Sequence, residues 1–262
     1  MRKLALVFSF LMALAFVAPA AELMPDFAGV PTGWVTDRYQ PNSFSNVGNF
    51  AGRDNVLGIG ISTAEGFTSR PGPYQSSFYN TQGMQYTLTG GTGDSLSADL
   101  WVPEEWRSEA NGSRRTDMWG VMTDGSSVTD YPIIGFTNYG GTPTFRAWDD
   151  TAWVNLSDVV QYGAWNSFRI LFTGASYEYY VNGNLSYTDN TPGAGTSGFS
   201  AAIMQGYNFN DDPSLPNAVG DQLGNYTAHW DNGGEVPEPA TVLLSGLGLG
   251  IVVLLHRRFH GA

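Results

Sequence analysis

An all-β sandwich is the fold class that this sequence predicts. Three observations carry it: short runs in which apolar and polar residues alternate, run boundaries rich in Gly, Asn, Asp, Ser and Pro, and no long helical apolar stripe between residues 22 and 232. A packed core is affordable, because the chain holds 15 Phe, 13 Tyr and 8 Trp, and aromatic rings bury large areas. Cysteine is absent, so stability must come from burial in a domain large enough to supply it.

The elements follow in chain order. GWVTDRYQPNSF, SRPGPYQSSFYNTQGM and ADLWVP read as the leading strands of the sandwich. Ser95 to Val102 places Leu96, Ala98, Leu100 and Val102 on one face, the pattern of a half-buried strand. Further strands are predicted at Met118 to Met122, Pro132 to Thr137, Thr144 to Trp148, Phe199 to Gln205 and Tyr226 to Trp230. The clearest unit is WNSFRILFTGASYEYYVNGNLSYTD, from Trp165 to Asp189. Phe168, Ile170 and Phe172 alternate, Thr173 to Ser176 turns the chain, and Tyr177, Tyr179 and Val181 alternate again. Asn182 and Gly183 both tolerate the positive φ of a two-residue type I′ turn, after which Leu185 and Tyr187 complete an antiparallel meander. Asn208 to Val219, with two prolines and no period, reads as a long loop, and Gly233 to Glu238 as a linker.

The meander resembles the signature of laminin-G-like and concanavalin-like domains, where a Trp opens a strand, a short turn follows, and a strand ending in Val-Asn-Gly leads into the next. The segment from Asn225 to Asn232 is similar to the terminal strand of such domains, with an Asp-Asn pair before the exit. This resemblance implies a concanavalin/laminin-G-like jelly-roll β-sandwich over residues 22–232.

Both flanks differ from the body. Residues 1–21 combine Arg2 and Lys3, an apolar run from Leu4 to Val17 and small residues at Ala18, Ala20 and Ala21, the pattern of a signal peptide that signal peptidase removes. In the tail, residues 233–262, Val236-Pro237-Glu238-Pro239 precedes an uncharged run over residues 240–255. As a helix that run spans about 24 Å, enough for a marginal transmembrane helix. Arg257 and Arg258 then fall on the cytoplasmic side by the positive-inside rule. This order of tripeptide, span and basic end resembles the PEP-CTERM sorting signal of Gram-negative bacteria, although His256 precedes the arginines and four residues follow them. The resemblance implies export across the inner membrane, transient anchorage, cutting near Pro-Glu-Pro by an exosortase, and delivery to the cell surface or the extracellular matrix.

Without the signal and the stretch from Val236 onward, eight basic side chains face 23 acidic ones, a net charge near −15. Such a field repels nucleic acid and anionic lipid, leaves membrane contact to the tail, and admits neutral glycans and divalent cations.

Candidate chemistry is sparse, and the chain reads as non-enzymatic with no catalytic residue assigned. A glycosidase on this sandwich needs two carboxylates on one strand face, and the Glu-x-Asp-x-x-Glu pattern is missing. Glu104, Glu105 and Glu109 fall in a stretch that reads as a solvated loop, and His229, the one histidine outside the tail, reads as structural. The best ligand-binding candidates are Trp148, Asp149, Asp150, Trp153 and Asn155 around a hairpin, since sugars stack on indoles while Asp and Asn bind hydroxyls. Calcium is the one cofactor that the loop carboxylates admit, with Asp231 and Asn232 as the metal candidates. The resulting expectation is an exported carbohydrate-binding or adhesive module with extracellular polysaccharide as partner, linked to exopolysaccharide or biofilm. A glycoside hydrolase or lyase on the same sandwich, or a purely structural matrix protein, are the alternatives.

Overall fold

The structure, a computed structural model, describes residues 21–219 and 224–232. The predicted signal peptide (residues 1–21, apart from Ala21) and the tail (residues 233–262) lie outside the described residues. So do the sorting residues Val236, Pro237, Glu238 and Pro239, the helix over 240–255, and Arg257 and Arg258.

Strands numbered in chain order form two antiparallel sheets. The first runs β1 (Trp34–Thr36), β4 (Thr81–Thr87), β14 (Gly198–Tyr207), β6 (Arg115–Thr123), β8 (Ile133–Thr137), β9 (Thr144–Asp149), β10 (Ala152–Asn155), with β7 (Val128–Asp130) paired to β6. The second runs β13 (Asn184–Asp189), β12 (Tyr177–Val181), β11 (Ala164–Phe172), β5 (Ser95–Val102), β15 (Tyr226–Asp231), β3 (Leu57–Ile61), β2 (Ser43–Asn46). The pairings β4–β14, β14–β6, β11–β5, β5–β15 and β15–β3 join strands far apart in sequence and knit the hairpins into two sheets, and the body is the all-β sandwich expected.

One apolar face of each sheet makes the core. On β5, Leu96, Ala98, Leu100 and Val102 are each no more than 2% exposed, as their spacing requires. Phe145 of the first sheet meets Phe168 of the second edge-on at 5.0 Å, and Phe168 in turn meets Trp230 at 5.8 Å. Burying each such ring is worth roughly 2–3 kcal/mol. Two polar links cross the core where the strands approach: Trp230 Nε1 donates to Thr116 Oγ1 at 2.9 Å, and Tyr226 Oη donates to the Arg115 carbonyl at 2.7 Å. Each satisfies a group that would otherwise be buried without a partner.

The meander forms as predicted. β11 pairs with β12 from Phe168↔Val181 to Phe172↔Tyr177, and the turn that leads from β12 into β13 has φ +49° at Asn182 and +79° at Gly183, both positive as a type I′ turn demands. One expectation needs correction, one is refined and one strand went unread. The stretch SRPGPYQSSFYNTQGM is strand only from Thr81, because Pro71 and Pro73 favour short 3₁₀ turns over Gly72–Tyr74 and Ser77–Asn80. The stretch from Glu104 to Asn111, read as a solvated loop, keeps Glu104 and Glu105 exposed but is shaped into two 3₁₀ turns, since Trp106 is buried against Phe136 at 5.5 Å and draws the chain inward. β3, LGIGI, escaped sequence reading because its glycines blunt the alternation.

Candidate functional site

The outward face of the first sheet holds the feature that the core does not explain. On β6 the outward positions are Arg115, Asp117, Trp119 and Val121, because Met118 and Met122 point into the core. Strand register then sets a row across the sheet: Gly83, Gln205, Asp117, Gly135, Arg146, Asn155. The adjacent row is Ile203, Trp119, Ile133, Trp148, Trp153. The second row packs as a small apolar cluster of its own on this face.

Gly135 makes room for the charged row. A Cβ at that position would collide with Asp117 Oδ1 and with the Thr116 carbonyl, so only glycine lets the carboxylate lie between β6 and β9. Asp117 is fully buried. Its Oδ2 accepts from Arg115 Nε at 2.6 Å and from Gln205 Nε2 at 2.5 Å, and Arg146 Nη2 stands 3.7 Å away. The guanidinium of Arg146 lies 3.7 Å from the Trp153 ring centroid, and that of Arg115 lies 4.8 Å from the same ring and 5.0 Å from Tyr207. Arg38 is held between Phe78 and Trp119, at 4.7 Å from each ring.

This row carries unmet polar capacity. Asp117 Oδ1, Gln205 Oε1, Arg146 Nε and Nη2, and Trp119 Nε1 are buried with no hydrogen-bond partner among the described residues. Each such group costs about 1–3 kcal/mol, so the concentration of them on one face marks a place where stability has been given up. Burial and the neighbouring charge of Arg115 push the Arg146 guanidinium down to about 9, with Asp117 opposing the shift. Burial likewise lowers Arg38, and burial with the Asp212 contact pushes the Tyr207 hydroxyl up to about 12. Around the row, Val35, Phe78 and Tyr131 are exposed, and a cavity of about 490 Å³ opens beside Arg38, lined by Tyr39, Glu65 and Tyr74 among others. Tyr39 Oη donates to Glu65 Oε2 at 2.8 Å in its wall.

The residues predicted from the hairpin are split by the strand alternation. Trp148 and Trp153 form a cross-strand pair, ring centroids 5.3 Å apart, on the outward face, and Asn155 shares that face opposite Arg146. Asp149 points the other way and accepts from the Tyr187 hydroxyl of the second sheet, while Asp150 sits at the turn with φ +33°. The two aspartates and the two tryptophans therefore do not make one site. For the metal candidates, Asp231 pairs with Arg53 at 2.9 Å and the Asn232 amide donates to the carbonyls of Met24 and Pro25. A guanidinium at the carboxylate and a donor amide do not fit a calcium ion, and no group of three or more His, Asp or Glu able to hold a metal occurs among the described residues.

Sequence reading missed Arg38, Arg115, Asp117, Arg146, Gln205 and Tyr207. The available signal was a charged residue at every second position beside large apolar ones, Arg115-x-Asp117-x-Trp119 and Arg146-x-Trp148, which marks a strand face that is neither core nor plain surface. A second cavity, about 560 Å³, lies outside the second sheet among Phe50, Trp101, Glu104, Glu105, Trp106 and His229. There His229 stacks on Phe50 at 3.7 Å and Glu104 pairs with Arg107.

Comparison with known proteins adds to this geometry. No curated protein matches the chain in sequence. Among solved structures it is similar to a Bacillus licheniformis beta-glucanase, at 14% identity over 80% of this chain and 96% of that one with a TM-score of 0.48. It is also similar to the endo-beta-1,4-glucuronan lyase of the fungus Trichoderma reesei, at 13% identity over 77% and 90% with a TM-score of 0.48. A sialidase matches at 14% identity and a TM-score of 0.45 over 81% of this chain, which spans only 18% of that protein. Residues 235–258 match the PEP-CTERM protein-sorting motif. The chain thus joins an all-β sandwich to a PEP-CTERM sorting motif, which implies exosortase processing, export and sorting to the cell surface.

Proposed function

We propose that the sorted body is a carbohydrate-binding or adhesive module of the cell surface, and that it holds extracellular polysaccharide on the outward face of the first sheet. The observation that carries this reading is the row of buried but unmatched polar groups, Asp117, Gln205 and Arg146, beside the indoles of Trp119, Trp148 and Trp153. Indole faces suit the C–H faces of sugar rings, while amide, carboxylate and guanidinium groups suit hydroxyls. Binding is favoured over hydrolysis by the same row: its single carboxylate, Asp117, is tied up by Arg115 and Gln205, whereas glycoside hydrolysis needs a facing pair.

The test is a glycan array on the full-length chain in detergent, with Trp153→Ala and Trp165→Ala compared. Trp153→Ala should lower affinity at least about tenfold, the scale of one lost stacking contact, while Trp165→Ala on the other sheet should not. Equal binding by Trp153→Ala and the parent protein would exclude this face. Release of reducing ends from a bound glycan would favour the hydrolase reading instead.

A further inference from the structure

We propose that the polysaccharide is acidic, and that a sugar carboxylate is received between Arg115 and Arg146 while the sugar ring lies against Trp153. This inference rests on the binding reading above and names its ligand class.

The argument starts from local charge. Arg115 and Arg146 share one counter-charge, Asp117 Oδ2, and both lie against one indole, Trp153, so two like charges sit together in a partly dry site with half the opposite charge that they need. Arg38, packed on Trp119, adds a third cation to this face, and Asp37 stands 3.5 Å from it. Three of the eight arginines between residues 21 and 232 are therefore gathered against two carboxylates, in a chain that is otherwise strongly acidic. Arg53, Arg70, Arg107 and Arg114 are spent differently, each donating to carboxylates or main-chain carbonyls.

Geometry points the same way. Arg115 gives its Nε to Asp117, which fixes the guanidinium plane and leaves its two terminal nitrogens without a hydrogen bond among the described residues. A guanidinium edge held in this manner takes a carboxylate in two parallel hydrogen bonds. Asp117 thus acts as a positioning residue, and Gln205 holds it from the other side. A neutral sugar would leave the excess positive charge unmatched; a uronate removes it. The net negative charge of the body does not forbid this, because charges further away than about 8 Å are largely screened at physiological ionic strength, while contact pairs are not.

The test is calorimetric titration of the full-length protein in detergent with polygalacturonate and with alginate, each against its carboxyl-reduced form, and with dextran sulfate. At least one polyuronate should bind, and carboxyl reduction should weaken it at least about tenfold. Arg115→Gln should remove that discrimination; since this variant leaves Asp117 less well paired, the comparison of acid with reduced polymer on the parent protein stands without it. Equal affinity for acid and reduced polymer would overturn the acidic-sugar inference and leave the glycan-binding reading in place. Dextran sulfate bound as tightly as the better polyuronate would overturn the carboxylate specificity. Binding to none of these and to no neutral glycan on the array would overturn both.

Discussion

Arg53 and Asp231 are joined at 2.9 Å across 178 positions of sequence, from the loop between β2 and β3 to the end of β15. The same Nη1 also contacts Asp99, which lies directly opposite Asp231 in the β15–β5 register. Two mostly buried carboxylates therefore stand side by side on neighbouring strands, and Arg53 is what makes that tolerable. Arg53→Met should cost about 2 kcal/mol at pH 7, less than a fully buried pair because Arg53 keeps 28% of its side-chain exposure. Urea unfolding reads it, and the loss should shrink as pH falls, because burial holds the Asp99 carboxyl above its ordinary value and lets it take up a proton. Because a guanidinium occupies this pair, chelator should leave the melting temperature of the parent protein unchanged.

Gly183 has φ +79° with open space where a Cβ would stand, so the cost of a side chain there is backbone strain alone. Gly183→Ala should lower stability by about 1 kcal/mol, seen as a shift in the urea midpoint with an unchanged slope. A shift near zero would show that the turn is not type I′ in solution.

That turn is also where the sequence was most legible. Asn182-Gly183 marks the turn and alternation before it is unbroken, so β11 and β12 could be placed before any coordinates, whereas the register shift where Tyr179 and Tyr180 face Tyr187 and Leu185 of β13 left no mark in the sequence. β5 was legible for the same reason. The charged row was not, since Arg115, Asp117, Arg146 and Gln205 come from three strands whose adjacency is set by long-range pairing, and each looks alone like an ordinary surface residue. The hairpin of Trp148 and Trp153 was found, but its aspartates were grouped with its tryptophans by proximity in sequence, where the pleat sends Asp149 to the opposite face.

Partial burial, a hydrogen bond to Asp130, and the charges of Asp130, Asp189 and Asp149 raise the Asp150 carboxyl from 3.8 to about 7. A carboxyl whose folded value is raised contributes stability that is complete below about 4 and is lost as pH rises through 7. Melting temperature should accordingly fall across that window, and Asp150→Asn should flatten the fall. An identical slope in the variant would assign the pH dependence to other groups.

Processing at the sorting motif is read by mass. If an exosortase cuts near residues 237–239, protein extracted from the cell surface should yield no peptide from residues 240–262, whereas protein from a strain lacking the enzyme should retain them. Surface protein that keeps those peptides would show a permanent anchor.

β15 sets a direction for the whole molecule. At its start the Tyr226 hydroxyl touches the main chain of Arg115, and just past its finish Asn232 holds Met24 and Pro25, about 17 Å away along five residues of extended chain. Residues 235–258 follow at once, so whatever grips them takes the sandwich by its lower rim.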